Sequence, residues 1–458
     1  MTAPTLALLL IAVVAVFVSP RRWVPVPFLA LACYIPKAQA LDIGPFSFTP
    51  LRTLIVVALL RAALRSDWKG MTLRLSDYLM VVWGFLMVVT VALHNDPMTQ
   101  AVMRLGLMFD GLGLYLLFRI CCRSPREIAG ICGALALVLV PLAASMLYER
   151  VSAHNLMAFF GGTSDGSWAR DGQIRARGPF RHAILAGTIG ALSVPFMVVL
   201  WSRFRVVAAL GLAAAIAIVV SSHSSGPLMS LAAAMSALAL WPLRRRLRLL
   251  RWTALGLYVA LAIAMNRPVY YLIGAIDLTG SSTGWHRARL IESSLQHLNE
   301  WWLAGTDYTR HWMATGVSWS PDHTDLTNHY IALGVYGGLP LLLSFVAVMV
   351  VSFHYVGRHL VVDDGDAESS FLAWAVGSAL FAIAVTSVSI SYFDQSILWL
   401  YMTMAFCGAL ATRPSPVANE ACVPVASVAA HRASHRARRR RLAIARSSVD
   451  LASPHPRT

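Results

Sequence analysis

The sequence predicts an all-α fold: a polytopic transmembrane helical bundle of about 12–13 spans, with a large extracytoplasmic loop that carries an amphipathic helix. Three observations predict it. Of 458 residues, 57% are hydrophobic and only 13% are charged, well below the roughly 25% charged that a soluble domain carries. Apolar stretches long enough to cross about 30 Å of hydrocarbon recur along the chain between short polar turns. Arginines crowd alternate connections between those stretches, as the positive-inside rule requires of cytoplasmic loops.

In chain order, spans are expected near residues 5–19, 24–40, 51–65, 78–94, 101–118, 128–147, 184–201, 206–221, 226–242, 252–266, 329–353, 370–388 and 393–411. The first apolar run has no basic flank before it and leads into further spans, so it reads as a span and not as a cleaved signal. The connections holding Arg21 and Arg22, Arg61, Arg65, Lys69 and Arg74, Arg119, Arg123 and Arg126, Arg203 and Arg205, the basic run 244–251, and Arg358 all fall on one side. That side is the cytoplasm, and the amino terminus is outside. The same arginines account for much of the net charge of +16, which therefore does not point to nucleic acid.

Two connections are long, about 148–183 and 267–328, and the alternation puts both on the exterior face. Long loops are where function concentrates. In the second, the stretch 285–302 places Ile291, Leu295, Leu298 and Trp302 on one helical face, with Ser281, Ser282 or Thr283 as a cap. This helix is expected to lie on the membrane surface or over a cavity mouth, or else simply to pack on neighbouring spans. The transmembrane domain spans 1–413. Residues 414–458, rich in Ala, Ser, Pro and Arg, are expected to form a disordered basic cytoplasmic tail in touch with anionic lipid. No internal repeat is evident of the kind from which many transporters are built.

The residues that could carry chemistry gather in the two long loops. Arg170, Arg175, Arg177, Arg181 and His182 lie just before a span, at an outer boundary where the positive-inside rule disfavours them. Such a violation needs an anionic partner, and guanidinium forks suit phosphate or diphosphate. Asp322, His323, Asp325, Asn328 and His329 meet where a late span begins, ahead of Gly334, Gly337 and Gly338. A histidine or aspartate there could take the proton from a hydroxyl. Arg287, Arg289, Asp307 and His311 add polar groups to the same loop. The histidines lack a His-x-x-x-His pair with a third ligand at a familiar spacing, so no metal site is expected. No phosphate-binding loop, dinucleotide fingerprint or nucleophile elbow is present, so no cofactor is expected. The six cysteines lie in spans or on the cytoplasmic side and offer no disulfide framework.

Two blocks carry a resemblance: Arg175-Ala-Arg177-Gly178-Pro179-Phe180-Arg-His182 followed by a span, and Trp301-Trp302-Leu-Ala-Gly305 leading to Asp325-Leu-Thr327-Asn328-His329-Tyr330 with Gly337-Gly338. With about a dozen spans and a large exterior loop before a late helix, the chain resembles the O-antigen ligase and polymerase superfamily of bacterial membrane proteins. The resemblance implies transfer of a polyprenyl-diphosphate-linked glycan to a saccharide or lipid A-core acceptor at the outer face of the inner membrane. The protein would act there as an O-antigen or exopolysaccharide polymerase or as a ligase, inverting the anomeric centre without metal or nucleotide. It implies that Arg175 and Arg177, joined by His182, Arg287 and Arg289, hold the diphosphate, and that Asp325, Asn328 and His329 act on the acceptor hydroxyl. The family commonly shows His-Asn at the start of the late helix, where this chain has Thr327-Asn328, so His329 or Asp325 stands in for the base or none is needed. Relatives often carry Ser-Arg-Gly where this chain has the segment Ser221-Ser222-His223-Ser224-Ser225-Gly226-Pro227, which lacks the arginine. The other class open to such a sequence is a transporter or flippase for an anionic or lipid-linked saccharide. Few ionisable residues fall within the spans, where coupling sites are expected.

Overall fold

The computed structural model describes residues 1–94, 97–170, 172–275, 284–317, 320–362 and 366–411. Asp171, the proposed caps Ser281, Ser282 and Thr283, and the tail from 412 lie outside the described residues.

A helix stands at each of the thirteen expected span positions. The first ten are α1 (Ala3–Val18), α2 (Pro25–Tyr34), α3 (Pro50–Arg65), α4 (Leu75–Val89), α5 (Pro97–Cys121), α6 (Pro125–Ser152), α7 (Ala183–Val199), α8 (Arg205–Ser221), α9 (Ser225–Ala239) and α10 (Leu247–Ala264). The second long loop carries α11 (Leu272–Ala275), α12 (Gly284–Gln296) and α13 (Leu298–Trp301), and the last three are α14 (His329–Val362), α15 (Ala367–Thr386) and α16 (Ile397–Leu410). Among the described residues, seven helical segments are long and apolar enough to cross a membrane, and α1, α8 and α9 are shorter apolar helices. The architecture is the all-α polytopic bundle that the sequence predicts.

Local chemistry sets the helix starts. Proline opens α1, α3 and α6, where its missing N–H costs nothing. The Thr49 and Ser124 side chains accept the free amides of Arg52 and Glu127. Two ends differ from expectation for identifiable reasons. The second span stops at Tyr34, short of 40, because a hairpin of Leu41–Ile43 with Phe46–Phe48 takes over the chain. The last begins at Ile397 and not near 393, because Asp394 sits at φ +53°, outside helical space.

The centre of the bundle is α7, α15 and α16, and every residue of α16 is buried. Without a hydrophobic drive between helices in lipid, close approach at small residues holds them together. A Cβ on Gly190 would stand 2.7 Å from the Ala215 carbonyl oxygen, and one on Gly187 2.6 Å from the Pro227 ring. Two arginines inside the bundle are paired with carboxylates, as burial demands. Arg119 Nε lies 2.9 Å from Asp77 Oδ1, and Arg52 Nη2 lies 2.8 Å from Asp110 Oδ2.

The arginine-rich connections meet at one end. There Arg21 pairs with Glu127 at 2.5 Å, Arg123 donates to the Lys69 carbonyl at 2.6 Å, and Arg203 pairs with Glu368. Both long loops meet at the other end, with the α2–α3, α8–α9 and α15–α16 connections. Contacts at that end include Asn155 Nδ2 to the Gly178 carbonyl at 2.7 Å and the His329 amide to the Ser387 carbonyl at 2.8 Å.

The amphipathic helix departs from expectation in its buried face. It breaks at His297, and α12 and α13 bury Leu290 and Trp301 while Leu295 and Trp302 are exposed. The buried stripe of Arg287, Leu290, Ser294 and Trp301 runs one residue ahead of the expected one on both sides of the break. Trp301 then packs with Trp312, Met313, Ile331 and Val335, and its Nε1 donates to the Ser294 carbonyl at 2.9 Å.

The glycines of the late helix have a concrete use. Gly338, at φ +72°, breaks α14, and a Cβ there would lie 2.4 Å from Leu303 backbone atoms. The loop backbone docks directly into the break, where the Leu339 amide donates to the Trp302 carbonyl at 2.8 Å and the Thr306 amide to the Val335 carbonyl at 3.0 Å.

Candidate functional site

The first long loop is built on a buried carboxylate. Glu149, in the last turn of α6, has no exposed surface. Its Oε2 accepts the amides of Arg177 at 3.2 Å and Gly178 at 2.8 Å, and its Oε1 accepts the Ser167 hydroxyl at 3.0 Å. A charged acceptor makes these bonds stronger than neutral ones, so the backbone that presents Arg177 is fixed from below. The Arg177 guanidinium lies over the Trp168 ring at 5.3 Å, and its Nη2 donates to Ser164 Oγ at 2.6 Å. Burial draws its pKa down from the usual arginine range and Glu149 opposes the shift, and arginine remains a cation at neutral pH.

Above Arg177 opens a cavity of about 540 Å³, lined by Lys37, Ser164, Trp168, Arg177, Arg181 and Asp394 among others. Three cations face one carboxylate, so the cavity favours an anion. Lys37 lies 3.5 Å from Asp394. Gln395 closes one wall, donating to the Ile35 carbonyl at 2.9 Å and the Pro179 carbonyl at 3.3 Å, which ties α2, the first loop and the α15–α16 connection together. The volume lies within the roughly 300–1,000 Å³ of ligand pockets.

His182 borders this region, with its ring edge-on to Trp168 at 5.7 Å and to Phe393 at 5.9 Å. Burial, then the Arg181 charge, draws its pKa below the ordinary imidazole range, with Arg177 adding to the effect and Asp325 and Asp394 opposing it. Asp325 is exposed and also opposes the lowering that burial imposes on Arg287. One carboxylate from the second loop is thus within electrostatic reach of a cation of its own loop and of the histidine of the first.

The other predicted site residues are placed differently. Arg175 reaches the α8–α9 turn, donating from Nη2 to Ser224 Oγ at 3.0 Å. Arg289 is exposed beside Glu292 at 3.3 Å. Asn328 caps α14, its Oδ1 accepting the Ile331 amide at 3.1 Å while Nδ2 donates to the Val388 carbonyl at 2.9 Å. His329 is buried against Phe345 and Tyr392, and its Nδ1 accepts the Tyr392 amide at 3.3 Å.

Sequence reasoning did not reach Lys37, Glu149, Asp394 and Gln395. A usable signal existed for three of them. Lys37 and Asp394-Gln395 interrupt stretches that otherwise read as spans, and ionisable groups there are costly unless they have a task. No protein-family model matches the chain, and no curated protein matches it.

Proposed function

We propose that the chain is a metal-independent inverting glycosyltransferase of the O-antigen ligase and polymerase superfamily. In this reading it uses a polyprenyl-diphosphate-linked glycan at the outer face of the bacterial inner membrane. The observation that carries this reading is the cavity where Lys37, Arg177 and Arg181 outnumber Asp394, at the bundle end away from the arginine-rich connections. The diphosphate would lie among the three cations, its lipid tail in the surrounding hydrocarbon. The acceptor oxygen attacks the anomeric carbon in line, forming the new C–O bond as the bond to diphosphate breaks and the electron pair leaves with phosphate. The cations meet the charge developing on the leaving group. Asp325, exposed and within reach of His182 and Arg287, is the better placed acceptor for the hydroxyl proton, since His329 is enclosed by Phe345 and Tyr392.

Arg52 and Arg119 are each engaged by a carboxylate, which weighs against their serving a transport path. The test restores cells lacking the protein with the intact chain or with Arg177→Ala, then compares surface polysaccharide with the lipid-linked pool. Loss of one charge-assisted contact, worth about 1.5–3 kcal/mol, should cut polysaccharide about ten- to a hundredfold. Single repeat units accumulating on lipid mean polymerase, and long lipid-linked chains mean ligase. Unchanged polysaccharide would overturn the reading.

A further inference from the structure

The second long loop brings together three side chains that the cavity chemistry does not use. His297 stands at the break between α12 and α13, Glu300 lies three residues on, and His311 belongs to the turn Arg310–Trp312. One ligand atom from each of the three lies within 4.8 Å of the others. The sequence hides this set, because His311 joins the other two only when the loop folds back.

The surroundings orient the three groups. His297 Nδ1 faces the Ser293 carbonyl at 2.9 Å, and a carbonyl can only accept, so Nδ1 carries a hydrogen and Nε2 is the nitrogen left to ligate. A backbone carbonyl behind the imidazole is the support that metal-binding histidines use. Trp312 Nε1 donates to Glu300 Oε2 at 3.1 Å, and His311 Nε2 lies 3.0 Å from Glu300 Oε1. Both rings rest on aromatic neighbours, for His297 stacks on Trp312 at 5.9 Å and His311 on Tyr308 at 5.1 Å.

We propose that His297, Glu300 and His311 bind one divalent ion of the zinc class, which clamps the α12–α13 break to the turn Arg310–Trp312. Two imidazoles and a carboxylate form a common three-ligand zinc set, with water in the fourth position. With Zn–N and Zn–O distances of about 2.0–2.2 Å, tetrahedral donors stand about 3.4 Å apart, so the present spacing of up to 4.8 Å contracts as the ion binds. To ligate through Nε2, His311 carries its hydrogen on Nδ1, so its contact with Glu300 is exchanged for a bond from each group to the ion. The clamp lies directly over Trp301 and Trp312, which pack on the start of α14. This inference is independent of the glycan reading.

The full-length protein, purified in detergent and stripped with a chelator, is titrated with Zn²⁺ by calorimetry beside His297→Ala, His311→Ala and Glu300→Gln. Glu300→Gln keeps an acceptor for Trp312 and so preserves the fold if either alanine variant does not. The intact chain should take up one equivalent more than each folded variant, or bind it more than about tenfold tighter, the least that even a group behind the ligands contributes. Zn²⁺ should also slow tryptic cleavage after Arg310 in the intact chain alone. The chain has 14 histidines, so Zn²⁺ uptake that is equal in the intact chain and Glu300→Gln would mean binding elsewhere and overturn the proposal, as would no uptake.

Discussion

Replacing Glu149 separates a carboxylate that holds the loop from one that merely fills space. Its Oε2 takes two backbone amides, those of Arg177 and Gly178, and its Oε1 takes a hydroxyl that can reverse. In Glu149→Ala both amides lose their acceptor in a site with no exposed surface, at about 1–3 kcal/mol each. In Glu149→Gln the amide oxygen can occupy the Oε2 position. The amide nitrogen then faces Ser167, whose hydroxyl rotates from donor to acceptor. All contacts survive in neutral form, so the cost is that of weakening them, about 1–2 kcal/mol. Thermal unfolding of the detergent-purified proteins should rank intact, Glu149→Gln, then Glu149→Ala. Proteolysis within 153–182 should accelerate in the alanine variant. If Gln and Ala were equally damaging, or both harmless, the account of how Arg177 is positioned would be wrong.

Three further expectations follow from particular contacts. Gly338→Ala adds a Cβ 2.4 Å from Leu303 backbone at φ +72°, and the combined strain should cost about 2–5 kcal/mol; a melting temperature equal to the intact protein's would refute direct docking of the loop into α14. Asn328→Ala removes a helix cap, so stability should fall by about 0.5–2 kcal/mol, with any loss of turnover no larger than that; a far greater loss of turnover would move Asn328 into the chemistry. His182, facing Arg181, Arg177, Asp325 and Asp394, has its pKa lowered in the fold, so the unfolded chain takes up the proton first on acidification. Its contribution to stability is present above the ordinary imidazole value of about 6.5 and is lost as pH falls through the lower folded value. Melting curves of His182→Gln should therefore fall less steeply below about pH 6.5 than those of the intact chain, and parallel curves would contradict this placement.

Most of the fold was legible because the bilayer demands long apolar runs and punishes stray charge. A helix stands at every expected span position, and the arginine connections share one end. Arg177 stood out in the sequence for the same reason, as a cation in a connection that the alternation assigns to the side poor in arginine. Glu149 was not, since it lies at the end of an apolar run and its partners are backbone amides, which leave no mark in sequence. Lys37 and Asp394 meet across 357 positions that no local spacing connects. His329 and Asn328 show what a sequence does not separate, a structural use from a chemical one. Both are polar residues at a loop end, and the structure uses them to start α14 and to pack it on Tyr392 and Val388. The amphipathic stripe failed in register because small and polar residues, Arg287 and Ser294, share the buried face with Leu290 and Trp301, and a count of apolar residues passes over them.

The central claim is transfer from a lipid diphosphate, and the direct measurement reconstitutes the purified protein with a polyprenyl-diphosphate-linked saccharide and a saccharide acceptor. Release of polyprenyl diphosphate together with a new glycosidic bond of inverted configuration is predicted for the intact chain. Arg177→Ala and Lys37→Ala should each slow release by about ten- to a hundredfold. Donor that remains intact with its acceptor present, yet crosses the bilayer when the protein is in vesicles, would contradict the claim and make the protein a transporter.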